Sequence, residues 1–147
     1  MKRVINSILI IGLLVDSSPI HAQEKSERIE VYHIDKAKVI KELPSTAAIH
    51  KEAEKYLSNI AGIYKKINPI PRKGYIVRIP LRPPLKVQNE WIHTLADEMN
   101  IFYPIEEDPY IMMFDDENNL YFFTMERNNL DLSKMAKYLG IMQKSET

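Results

Sequence analysis

Residues 45–67, STAAIHKEAEKYLSNIAGIYKKI, carry the clearest periodicity in the chain. Stepping about 100° per residue gathers Ile49, Ala53, Tyr56, Leu57, Ile60, Ile63, Tyr64 and Ile67 on one arc. Lys51, Glu54, Lys55, Ser58, Lys65 and Lys66 fall opposite, and Ser45 or Thr46 offers an N-cap. The spacing predicts an amphipathic helix that runs to about Ile67 and packs on a sheet. In a small domain most helical stability comes from such packing.

Downstream, residues 68–74 hold two prolines and a glycine and read as a linker. Residues 75–79 read as a strand stopped by Pro80, and Pro83 and Pro84 keep the chain extended. Residues 87–100 then place Trp91, Ile92, Leu95, Ala96 and Met99 on one arc, which predicts a second helix. Residues 101–104 form a short strand before the acidic loop 106–109. Residues 110–114 and 120–125, joined by the polar turn 115–119, read as a β-hairpin. A last helix, capped by Asp131 or Ser133, buries Leu132, Met135, Ala136 and Leu139 and ends at Gly140.

Upstream, residues 29–34 alternate as a strand. Residues 35–43 read either as a turn into a short strand, 39–43, ended by Pro44, or as a helical turn capped by Asp35. The expected fold is α+β: a small mixed or antiparallel sheet packed against two or three amphipathic helices.

The first 22 residues have the pattern of a secretory signal peptide. Lys2 and Arg3 precede the apolar run 4–15, residues 16–19 break it, and Ala22 suits cleavage. The run is shorter than the roughly 20 residues of a spanning helix. The expectation is a secreted or extracytoplasmic protein cut after Ala22, with one domain over residues 23–147 and a flexible arm over about 23–28. The chain contains no cysteine. That excludes disulfides, thiolate metal sites and thiol chemistry, and it suits a bacterial envelope or extracellular setting.

Net charge is zero, but the charges are segregated. Residues 55–88 hold eight basic residues and no acidic one, whereas residues 89–132 hold eleven acidic residues and one basic, Arg127. Two readings follow. Either the blocks pack together and neutralise each other, or the basic block contacts an anionic surface through Arg72, Lys73, Arg78 and Arg82.

Motifs of chemistry are sparse. Glu90, His93 and Asp97 share a face of the second expected helix, but the carboxylate–imidazole pattern needs a second copy. Asp115–Asn119 supplies oxygen ligands suited to calcium, yet Leu120 stands where a calcium loop needs glycine, and a hairpin turn explains the same residues. Residues 78–84 resemble proline-rich docking peptides, although an extended strand end reads equally. No H-E-x-x-H, G-x-S-x-G or glycine-rich phosphate loop occurs. The expected function is therefore an exported non-enzymatic binding or regulatory module with a protein or cell-envelope partner. No nucleic-acid partner, cofactor or metal is expected, and no permanent membrane span after cleavage. A contact rim is expected among the aromatics from Tyr103 to Tyr110. The alternatives are a small hydrolase using Glu106, Glu107 or Asp108, and a peripheral envelope protein holding an anionic polymer or membrane surface through the basic block.

Overall fold

The computed structural model describes residues 26–66, 68–126 and 132–141; the predicted signal peptide lies outside them. The elements are β1 (Arg28–His33), β2 (Lys38–Pro44), α1 (Ala47–Ser58), β3 (Ile60–Ile63), β4 (Gly74–Gln88), β5 (His93–Pro104), β6 (Tyr110–Phe114), β7 (Leu120–Met125) and α2 (Leu132–Tyr138). All seven strands join one sheet in the order β2-β1-β4-β5-β6-β7-β3, and every pairing is antiparallel. The expected α+β fold is corrected accordingly. The protein is mainly a seven-stranded antiparallel sheet, with two short helices among the described residues.

Two segments account for the difference. Residues 87–100, read as a helix, are the end of β4, a turn and most of β5. Ile92, Thr94 and Ala96 are buried and His93, Leu95 and Asp97 are exposed, a period of two that the helical arc had masked. Asn89 adds to the ambiguity because its Oδ1 accepts from the backbone of Trp91 and Ile92 at 2.9 and 3.0 Å. That side-chain geometry serves a turn as well as a helix start. What decides is the long hairpin, since β5 pairs back on β4 from Gln88↔His93 out to Gly74↔Pro104.

The helix of residues 45–67 stops at Ser58. Thr46 caps it by accepting from the backbone of Ile49, and Ile49, Ala53, Tyr56 and Leu57 are its buried face. Ile60 and Ile63, assigned to the same stripe, sit in β3 and pair with Met125 and Phe123. β-branched side chains suit the pleat better than a helix surface. Elsewhere the hairpin β6–β7 has the bounds read from the sequence, and residues 38–44 take the strand alternative as β2.

β4 runs through Pro80, which was expected to end it, and on through Pro83 and Pro84, which do keep the chain extended. Pro83 and Pro84 fall in residues 81–84, where the ladder to β5 is interrupted between Pro80↔Glu98 and Leu85↔Ala96, so their missing N–H groups break no rung there.

α1 joins the two edge strands, β2 and β3. It packs, with α2, on one face of the sheet. The core lies on that side: Val31, Val77, Ile79, Met99, Ile101, Ile111 and Phe123 from the strands meet Ala53 and Tyr56 of α1 and Met135 and Leu139 of α2.

Candidate functional site

The other face of the sheet is amphipathic. At its centre Arg78 Nε donates to Glu98 Oε2 at 2.9 Å and Nη1 donates to the Ser26 carbonyl at 2.9 Å. Glu30 lies 3.8 Å away, and Asn100 Nδ2 donates to Glu98 Oε1 at 3.0 Å. Towards β7 the same face turns apolar, with Met112 opposite Phe122 and Phe114 opposite Leu120.

At one end of the sheet the β3–β4 connection, described over residues 64–66 and 68–73, folds back over this face. Tyr64 stacks on Tyr110 with ring centroids 4.0 Å apart, and Phe102 stacks on the far side of Tyr110 at 5.1 Å. The Tyr110 hydroxyl donates to the Pro69 carbonyl. The Tyr64 hydroxyl and the Lys66 ammonium both donate to Glu107 Oε2, at 2.7 and 2.6 Å. Burial opposes charge on Glu107, but these two bonds prevail and hold its carboxyl below the usual range. Burial, and then the Glu107 carboxylate, push the Tyr64 hydroxyl up to about 12. The connection is thereby seated on the sheet by aromatic stacking and charge-assisted hydrogen bonds.

Beyond these anchors Pro71, Arg72 and Lys73 face Pro104, Ile105, Glu106 and Glu107 across an open recess of 310 Å³. Arg72 and Lys73 are exposed, and no hydrogen bond or ion pair engages either among the described residues. Ile70, next to the recess, is 63 % exposed and Ile105 is 53 % exposed.

The four cations singled out from the sequence therefore part company. Arg72 and Lys73 stand together at the recess. Arg78 is committed to the sheet face, and Arg82 binds the carbonyls of Leu81 and Asp97 at 3.0 Å each and lies 3.3 Å from Glu27. Arg78–Glu98 and Lys66–Glu107 show the basic and acidic blocks neutralising each other locally, the first of the two readings of the charge pattern.

The remaining candidates disperse. Glu90 lies in the β4–β5 turn and His93 and Asp97 on β5, and the described residues hold no group of three metal-ligating side chains. Asp115 holds its own turn, accepting from the backbone of Glu117 and Asn119, from the Asn119 amide and from the Tyr121 hydroxyl. Those bonds, led by the one from the Asn119 side chain, keep its carboxyl low. The expected rim of Tyr103 and Tyr110 is internal, each ring being 1 % exposed. Among the hydrolase candidates, Glu107 is occupied by Lys66 and Tyr64.

Ile70 and Ile105 were missed in the sequence. Their only signal is a bulky apolar residue set among prolines and charges, Asn-Pro-Ile-Pro and Tyr-Pro-Ile-Glu, where no strand or helix takes it inward. The chain matches no protein-family model, no curated protein and no solved structure.

Proposed function

We propose that the protein is an exported, non-enzymatic binding module that contacts an anionic surface through the end of the sheet bearing Arg72 and Lys73. The observation that carries this reading is the pair of adjacent, exposed and unengaged cations beside an open recess, whereas Arg78 and Arg82 are both engaged. The turn at the opposite end of β6 and β7 carries Asp115, Asp116 and Glu117. Those acids lie away from the recess, and the attraction to negative charge rests on the local cations, against which Glu106 is set.

The contact is tested on immobilised dextran sulfate, with neutral dextran as the control. The parent protein binds the sulfated matrix and is released by salt, and Arg72→Glu/Lys73→Glu loses at least tenfold in affinity. Equal binding by the two proteins sinks the reading. Export is supported by the pattern of residues 1–22, and the expected product in the medium begins at Gln23. Material that stays in the cell with Met1 intact would overturn that part.

A further inference from the structure

An isoleucine held in water beside two free cations has a narrower meaning than charge alone. A solvated polyanion has no hydrocarbon with which to cover Ile70 or Ile105. A bilayer has both layers that this surface needs: anionic headgroups for ammonium and guanidinium groups, and acyl chains immediately beneath for the apolar side chains.

We propose that this end of the sheet docks on an anionic lipid bilayer, with Ile70 and Ile105 entering the acyl boundary and Lys65, Arg72 and Lys73 meeting the headgroups. The inference rests on the reading above and narrows its surface to lipid. The geometry supports it in three ways. Ile70 follows Pro69 and precedes Pro71, so its backbone has little freedom to withdraw. The connection is pinned behind it by Tyr64, Pro69 and Glu107, so the wedge is presented by a supported segment. The acidic turn of residues 115–117 lies at the far end of the strands, away from the lipid.

The neighbouring loop also brings acids. Lys66 answers Glu107 at 2.6 Å, and Glu106 faces Arg72 and Lys73 across the recess. The electrostatic attraction is therefore modest and the isoleucines are required for affinity. Such a surface binds reversibly and prefers membranes rich in anionic lipid.

Protein recovered from the medium is titrated with vesicles of phosphatidylglycerol and phosphatidylcholine, with pure phosphatidylcholine vesicles, and with dextran sulfate. The mixed vesicles bind and the neutral vesicles do so weakly or not at all. Ile70→Ser/Ile105→Ser weakens binding to mixed vesicles about a hundredfold, roughly tenfold per side chain removed from hydrocarbon, and leaves dextran sulfate binding unchanged. Glu106→Gln strengthens vesicle binding severalfold. All the substituted residues are exposed, and circular dichroism verifies that each variant is folded. Vesicle binding that survives loss of both isoleucines overturns the lipid inference while leaving the anionic-surface reading intact. If Arg72→Glu/Lys73→Glu binds vesicles and dextran sulfate as the parent does, both fall.

Discussion

Gly74 opens β4 with φ at +125°, a region that residues with a Cβ avoid. The reason is spatial as well as torsional, since a Cβ there would sit 2.2 Å from the Tyr103 carbonyl oxygen. The close approach also lets the Gly74 backbone donate to Asp35 and accept from Ile34, tying the β1–β2 turn to the sheet. Gly74→Ala is expected to cost about 3 kcal/mol, measured as a lower urea midpoint. Gly62→Ala, whose Cβ meets only the Thr124 hydroxyl at 3.4 Å, should unfold close to the parent. The sequence marked Gly74 as the end of a linker, which is correct. Its contact with Tyr103 depends on pairing across 29 residues and could not be read there.

At the scale of elements, legibility depended on whether the local pattern admitted a competing helical arc. The hairpin β6–β7 and the end of α2 are fixed locally and were readable. Gly140, with φ at +68°, closes α2 as its backbone N–H reaches Lys137 and that of Ile141 reaches Ala136, a Schellman arrangement. β3 is fixed by β7, far along the chain, whereas β5 is the second strand of a hairpin with β4; in both a helical arc competed with the strand pairing. α1 shows how finely this balances. Ser58 and Asn59 return their side chains to the carbonyls of Glu54 and Lys55 at 2.8 and 2.7 Å, so the helix ends on its own polar groups. Its start depends on one cap. Thr46→Ala, which removes the bond to the Ile49 backbone, should cost about 1 kcal/mol, seen as a drop in thermal midpoint with the native β-sheet spectrum retained.

Across the whole molecule, the segregated charge visible in the sequence is neutralised in part, where antiparallel pairing sets Glu98 of β5, from the acidic block, beside Arg78 of β4, from the basic one. Half of the nominated cations are engaged, Arg78 by Glu98 and Arg82 by Glu27 and two backbone carbonyls. Which half depended on strand parity: Arg78 projects from the face where Glu98 and Glu30 also stand, while Arg72 and Lys73 precede the strand and escape it. Exposure of Ile70 and Ile105 is likewise a property of the assembled sheet, whose helix-covered side is filled by Val77, Ile101, Ile111 and Phe123.

The helix that links the two edges of the sheet also dictates a timetable. β1 must wait for β4, and β3, leaving α1 at Ile60, must wait for Phe123 and Met125. These contacts close long loops, which slows folding. During synthesis the seam at β3 stays open until the last strand, β7, has emerged, so the sheet cannot be completed piecemeal, and this edge, made early in the chain, is sealed only at the end.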